Sequence, residues 1–142
     1  MKKVKDIMKK TRTISPDLTI KEVLDIMEAN TSFGLIVESE EKPIGIITDG
    51  DLLSAYCRYV ANFSYEETIS NENYNKRVKE FKSLKAKDLM TQRPRTIHED
   101  ASVIEAAEII KKFKFRRLAV VDSAGKYLGL INRVGILKNA FE

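Results

Sequence analysis

The sequence predicts a mixed α/β (α+β) fold in which one β-α-β-β-α unit is written twice. Three observations carry that prediction: an internal repeat, a regular change between helical and strand periodicity, and the same helix-start chemistry in both copies. The repeat is read from matched stretches. Lys5-Asp6-Ile7-Met8 returns as Lys87-Asp88-Leu89-Met90, and Thr13-Ile14-Ser15-Pro16-Asp17 returns as Thr96-Ile97-His98-Glu99-Asp100. Leu35-Ile36-Val37 returns as Leu118-Ala119-Val120, and Ile44-Gly45-Ile46-Ile47 as Leu128-Gly129-Leu130-Ile131. The spacing between partners grows one residue at a time, as short loop insertions would produce. The copies span 1–63 and 86–142, with a linker at 64–85.

Each copy then follows the same order. Thr19-Ile20-Lys21-Glu22 and Ser102-Val103-Ile104-Glu105 both read as capping boxes, in which a hydroxyl accepts from the third helical amide and a glutamate reaches back. Leu18 and Val23 add a hydrophobic staple to the first. Ile20, Val23, Leu24 and Met27 fall on one face of the helix that follows, and Val103, Ala106, Ala107 and Ile110 on one face of its counterpart. Met8, Met27 and Met90 occupy apolar positions and read as core filling. Two short strands come next in each copy. Leu35–Val37 and Ile44–Ile47 flank the polar turn Glu38–Pro43, while Leu118–Val121 and Tyr127–Ile131 flank Asp122–Lys126. A second helix closes each copy. The first runs long, through Leu52, Leu53, Tyr56, Tyr59, Val60 and Phe63; the second is short, with Ile136, Leu137, Ala140 and Phe141. In the linker, Ser64-Tyr65-Glu66-Glu67 and Ser70-Asn71-Glu72-Asn73 are loop and helix-start signals. Val78, Phe81 and Leu84 among lysines then describe a basic amphipathic helix with a narrow apolar edge, suited to packing on the domain more than to a membrane surface.

Composition bounds the functional classes. A chain of 142 residues, 43% hydrophobic and 32% charged, can bury a real core, and its apolar runs are too short for a transmembrane helix. The start Met1-Lys2-Lys3-Val4-Lys5-Asp6 has no apolar stretch or cleavage site and is not a signal peptide. Cys57 is the only cysteine, which excludes an internal disulfide and points to a reducing compartment, the cytoplasm. A net charge of +4, with lysines interleaved among acids, reads as a solvated surface and falls short of a nucleic-acid-binding composition.

The stretch richest in chemistry is Gly45-Ile46-Ile47-Thr48-Asp49-Gly50-Asp51. It places a hydroxyl and two carboxylates at a strand-to-helix turn, where main-chain donors of the new helix are also unpaired. A carboxylate there can hold the vicinal hydroxyls of a ribose, as acids do in dinucleotide-binding folds, and would repel a bare phosphate. The same residues can equally serve as helix caps. Other chemistry finds little support. His98 is the only histidine and reads as a surface turn residue; Cys57 lies in an apolar helical pattern and reads as a small buried hydrophobe. A zinc site of the usual thiolate or imidazole kind lacks its ligands, and neither a Walker loop nor a Gly-x-Gly-x-x-Gly stretch occurs.

With the repeat, the order of elements and the Gly45/Thr48/Asp51 spacing together, the chain resembles a tandem pair of CBS (cystathionine-β-synthase) domains, a Bateman module. Asp-Ile-Met and Asp-Leu-Met ahead of the two units and Arg116-Arg117-Leu-Ala-Val-Val-Asp122 in the second strengthen the likeness, which spans all but the segment from Ser64 to Ala86. The resemblance implies two units packed sheet to sheet with pseudo-two-fold symmetry, ligand clefts between them, and assembly into a homodimer. It implies a non-catalytic sensing role: an adenosine ligand (AMP, ADP, ATP or S-adenosylmethionine), with magnesium able to accompany a polyphosphate, biases a regulated protein. It places Asp51 on the ribose hydroxyls and Thr48 on ribose or phosphate. Gly45 belongs to the same motif. Gly34, Leu35 and Ile36 would flank one side of the adenine, with Ile14 and Ser15 on the other. Arg116 and Arg117 would meet the phosphates, for which guanidinium forks are suited. Ile36 and Ala119 stand where the family often has proline. The second motif departs further, with Asn132 for Thr/Ser and Gly135 for Asp, and Gly135 cannot hold a ribose. One competent site is therefore expected, and a second that is weak, empty or altered. The other reading is a ligand-free dimerisation or docking module.

Overall fold

The computed structural model describes residues 1–30, 34–61 and 70–141. In chain order the elements are α1 (Val4–Ile7), β1 (Thr13–Ile14), α2 (Ile20–Asn30), β2 (Gly34–Ser39), β3 (Lys42–Thr48) and α3 (Asp49–Tyr59). Then follow α4 (Asn71–Ser83), α5 (Ala86–Leu89), β4 (Thr91–Gln92), β5 (Thr96–His98), α6 (Val103–Phe113), β6 (Arg117–Val121), β7 (Tyr127–Asn132) and α7 (Arg133–Asn139). The mixed α/β class is as expected. The strands form a four-stranded sheet in the order β1-β2-β3-β4 and a three-stranded sheet in the order β5-β6-β7. In each, a short leading strand pairs parallel with the first strand of a hairpin: Thr13 opposite Ile36 in one, Thr96 opposite Ala119 in the other.

Compactness divides the chain differently from the repeat. One unit comprises Thr13–Val37 and Gly45–Gln92; the second comprises Met1–Arg12, Glu38–Ile44 and Arg93–Glu142. The segment that leads each copy thus belongs to the unit built on the other copy. In the second unit Val4 is fully buried with Ile97, Ala106, Ile110, Leu118, Val120 and Ile131. Its amide donates to the Ala101 carbonyl (2.8 Å), and Lys9 and Leu130 exchange two main-chain bonds of 2.9 and 2.8 Å. In the first unit Ala86 takes the place of Val4: it is fully buried, and its amide donates to the Leu18 carbonyl (2.8 Å). The matched lysines even make matched ion pairs, Lys5 with Asp100 at 3.0 Å and Lys87 with Asp17 at 3.3 Å.

The repeat glycines explain why this packing is possible. A Cβ on Gly45 would collide with the Met90 sulfur and lie 3.1 Å from the Thr91 carbonyl oxygen. A Cβ on Gly129 would lie 2.9 Å from the Lys9 carbonyl oxygen and 3.1 Å from Met8 Sδ. Each glycine therefore admits the methionine of the leading segment in its own unit.

Four local expectations need amendment. The first hairpin turns on Glu40 and Glu41 alone, both at positive φ (52° and 65°), so its strands extend beyond Leu35–Val37 and Ile44–Ile47. His98 ends β5 rather than sitting in a turn; it is exposed, with Nε2 3.1 Å from Ser123 Oγ. Helix α3 stops at Tyr59, capped by buried Val60, while Phe63 and Ser64-Tyr65-Glu66-Glu67 lie outside the described residues. Cys57 is exposed, because it falls on the solvent side of α3 opposite Leu52 and Ala55. The basic linker helix is present as α4. It packs on its own unit, with Phe81 buried and edge-on to Tyr56 at 6.0 Å between ring centroids.

Candidate functional site

In the first unit, β3 brings Ile47 into the core and delivers Thr48 to the sheet's end in an extended conformation (φ −118°, ψ 163°). Helix α3 starts at the next residue. Thr48 Oγ1 accepts from the Asp51 amide at 3.1 Å, and Asp51 Oδ2 accepts from the Thr48 amide at 3.0 Å. This reciprocal box locks both side chains to the turn, with aspartate in the place more often held by glutamate. Both residues are half-buried, whereas Asp49 and Gly50 are exposed, and Asp49 Oδ1 accepts from the Gly50 amide at 2.9 Å. Both readings of the turn therefore meet in one geometry: Asp51 caps the helix, and the cap aims a carboxylate that needs no further ordering. Among the described residues Oδ2 alone is engaged, leaving Oδ1 as an acceptor of the kind a ribose hydroxyl would use.

The neighbouring strands supply the rest of the predicted set. Gly34 starts β2 and Thr48 ends β3, so the hairpin places them at the same end of the sheet. Ile14, Leu35 and Ile36 are 3%, 5% and 2% exposed, so in this conformation they serve the core more than an open surface. Ser15 is exposed, and its Oγ accepts from the Asp17 amide at 3.1 Å. Gly45 is buried and has the packing role described above. The first unit therefore holds Ile14, Ser15, Gly34, Leu35, Ile36, Gly45, Thr48 and Asp51. Arg116 and Arg117 belong to the second unit, Arg116 exposed and Arg117 opening β6 opposite Asn132.

The matching turn of the second unit keeps the cap and loses the carboxylate. Asn132 Oδ1 accepts from the Gly135 amide at 2.7 Å, which satisfies the start of α7 much as Thr48 does for α3. Gly135 offers no side chain where Asp51 offers its acid. A cavity of about 350 Å³ borders this turn, with Asp6, Lys9, Lys138 and Asn139 among its walls. The Asn139 Oδ1 is buried there without a partner among the described residues. The glycine–methionine packing in both units lies outside the Gly-x-x-Thr-x-x-Asp pattern; its signal in the sequence is that Met8 and Met90 recur with Gly129 and Gly45 in the two copies. Among the described residues no helix is long and apolar enough to cross a membrane, and no cluster of potential metal ligands occurs.

A family profile for the CBS domain matches residues 4–58 and again 86–142. Among characterised sequences, the chain is 30% identical over 138 residues to the chloroplastic CBS domain-containing protein CBSX1 of Arabidopsis thaliana, covering 91% of this chain and 58% of that protein. It is 36% identical over 127 residues to the inosine-5'-monophosphate dehydrogenase of Aquifex aeolicus, covering 89% of this chain and 22% of that enzyme. The chain thus spans little more than half of one relative and under a quarter of the other. Among solved structures, CBSX2 of Arabidopsis thaliana in complex with AMP superposes with a TM-score of 0.78 at 23% identity, covering 99% of this chain and 97% of that one. The CBS pair of MJ0100, in complex with 5'-methylthioadenosine and S-adenosyl-L-methionine, gives 0.73 at 22% identity, with coverage of 99% and 97%. The repeat, the two sheets and the two profile matches lead to one conclusion: the chain belongs to the CBS-domain family and carries its domains as a tandem pair.

Proposed function

We propose that the chain is a non-catalytic regulatory module that senses an adenine nucleotide (AMP, ADP or ATP), bound mainly at the turn built on Thr48 and Asp51. The observation that carries this reading is the contrast between the two turns. One retains a carboxylate fixed by a reciprocal cap, while the other has Asn132 and Gly135. The AMP-bound and S-adenosylmethionine-bound relatives support an adenosine ligand. In this assignment Asp51 accepts from the ribose hydroxyls and Thr48 donates its hydroxyl proton to a ribose or phosphate oxygen. Gly34, Leu35 and Ile36, with Ile14 and Ser15, flank the adenine beside the Gly45 backbone. Arg116 and Arg117 receive the phosphates, and magnesium would accompany a polyphosphate ligand. The module acts as a homodimer on a regulated protein in the cytoplasm, without binding nucleic acid or membrane. The ligand regulates by binding one conformation of the module better than another.

The docking-module reading draws on the same cap, because Thr48 and Asp51 already have structural partners in it. Calorimetric titration with AMP, ADP, ATP and S-adenosylmethionine, with and without magnesium, separates the two. The sensing reading expects saturable binding near one ligand per chain, lost in Asp51→Ala. Two equivalent sites would overturn the assignment to a single turn. Absence of binding by all four ligands would favour the docking module.

A further inference from the structure

Helix α6 ends in a stretch whose chemistry its counterpart lacks. Lys111-Lys112-Phe113-Lys114-Phe115-Arg116-Arg117 holds five cations, two phenylalanines and no acid, and it joins α6 to β6. The matched stretch of the other copy, Glu28-Ala29-Asn30-Thr31-Ser32-Phe33-Gly34, joins α2 to β2 without a single cation. The fold therefore does not require this chemistry.

Both rings stay in contact with water. Phe113 is 42% and Phe115 36% exposed, and they stack with centroids 5.9 Å apart and planes inclined by 24°. From the loop ahead of β5, Arg95 lays its guanidinium over the Phe113 ring, 4.2 Å from the centroid, and the Lys112 ammonium lies 5.4 Å from it. Among the described residues Arg95, Lys111, Lys112 and Lys114 make no ion pair, whereas Lys3, Lys5, Lys21, Lys87 and Lys126 each reach a carboxylate. Main-chain bonds hold the turn that presents the rings. Lys114 caps α6 at a left-handed φ of 57°, and the amides of Lys114 and Phe115 both donate to the Ile110 carbonyl. A helix C-terminus favours cations, which accounts for Lys111 and Lys112. It accounts neither for two phenylalanines left in water nor for Arg95, which comes from another loop.

We infer that this cluster docks an acidic segment of the protein that the module regulates. Carboxylates of that segment meet Arg95 and Lys112, and an apolar side chain beside them covers Phe113 and Phe115. The docking rests on the proposed regulatory role, which needs such a partner. Aromatic and arginine side chains are the usual anchors of protein interfaces. A nucleobase needs an open ring face to stack on, and one face of Phe113 lies under the guanidinium. The ring edge is its positive side, so edge and cations attract a carboxylate together. Two rings also offer far less apolar area than the helix face by which a membrane anchor inserts.

The test is fluorescence anisotropy of the full chain at low salt with a labelled peptide of glutamates around one central tryptophan. The same peptide with glutamine for glutamate is the control. Wild type is expected to bind the acidic peptide saturably and at least about tenfold more tightly than the control. Arg95→Glu with Lys112→Glu is expected to lose that binding and to gain binding of the peptide with lysine for glutamate. Phe113→Ser with Phe115→Ser should weaken binding of the acidic peptide at least about tenfold with the cations intact. Circular dichroism checks the folding of each variant. Where one fails to fold, Arg95→Gln with Lys112→Gln is expected to weaken binding in the same direction. Equal affinity for the acidic peptide and its control, or variants that bind as wild type does, would overturn the docking site. So would a single-stranded oligothymidine, or a vesicle containing phosphatidylserine, that binds through the same four residues more tightly than the peptide. None of the four belongs to the proposed nucleotide site, so AMP titration of these variants is expected to match wild type. A chain that binds the peptide and no nucleotide would refute the ligand assignment alone; one that binds nucleotide and no peptide would refute the docking alone.

Discussion

Gly129→Ala probes the packing on which the second unit depends. Gly129 lies in β7 opposite Val120, and its missing side chain faces the Lys9 carbonyl oxygen, 2.9 Å from where a Cβ would stand. That oxygen cannot readily retreat. It accepts from the Leu130 amide at 2.8 Å while the Lys9 amide donates to the Leu130 carbonyl at 2.9 Å, so a shift stretches both bonds. Overpacking of this kind costs about 1–3 kcal/mol. Alanine returns about 0.4–1 kcal/mol by restricting the unfolded chain. The midpoints of the two ranges leave an expected net loss of about 1.3 kcal/mol, read from the urea midpoint at unchanged m-value. A double variant with Met8→Ala distinguishes the causes. Met8 is the flexible neighbour, at 3.1 Å, and trimming it relieves only the side-chain contact, so little stability should return. At Gly45 the worst collision is with the Met90 side chain, so Gly45→Ala should be rescued far more by Met90→Ala. Unchanged stability in Gly129→Ala, or full rescue by Met8→Ala, would refute the backbone argument.

Two further predictions follow the leading segment. Val4→Ala removes two methylene equivalents from a fully buried site and should cost about 1.5–3 kcal/mol, with hydrogen exchange accelerated in β5–β7 more than in β2 and β3. Equal acceleration in both sheets would deny that Val4 belongs to the second unit. The Lys5–Asp100 pair should stabilise over a defined pH range. The Lys5 ammonium holds the Asp100 carboxyl below its ordinary 3.8, and Asp100 in turn raises the lysine above 10.5. The depressed acid contributes stability that is complete above about pH 4 and lost as pH falls further; the raised base contributes below about pH 10 and loses it as pH rises further. Asp100→Asn should therefore lower the melting temperature slightly between those limits and not outside them. Salt should shrink the difference, since both groups are exposed.

Much of the fold was legible because it is written twice. The capping serines and threonine, the 3.6-residue faces of α2 and α6, and the apolar hairpin strands all depend on local chemistry that one copy predicts and the other repeats. Ser102 accepts from the Glu105 amide at 3.1 Å and Thr19 from the Glu22 amide at 3.3 Å, which is the hydroxyl half of each expected capping box; the reciprocal carboxylate bond is formed at the start of α3, by Asp51. The Thr48–Asp51 turn was legible for the same reason. Other features were hidden because they depend on distant partners. The side of α3 that faces solvent, and with it the exposure of Cys57, is set by what packs against Leu52 and Ala55. The two-glutamate turn at positive φ runs against the residues' own preferences, and bonds beyond the hairpin hold it: Glu41 accepts from the Tyr127 amide at 2.8 Å and pairs with Lys126 at 3.2 Å. Nothing local told which copy would receive each Asp-Ile/Leu-Met segment.

That exchange has a consequence for how the chain comes to be folded during synthesis. Lys9 must wait for Leu130, and Val4 for Ile131, so an early-made strip of sequence stays unplaced until the last hairpin is available. Contacts this far apart in sequence slow folding, because loop closure comes before its reward. Cutting the chain between the repeats would leave each half with the wrong leader: the first with Val4 and no core to receive it, the second with Ala86 in the same position. Separate expression of the halves should therefore give two aggregation-prone fragments, which become ordered only when mixed.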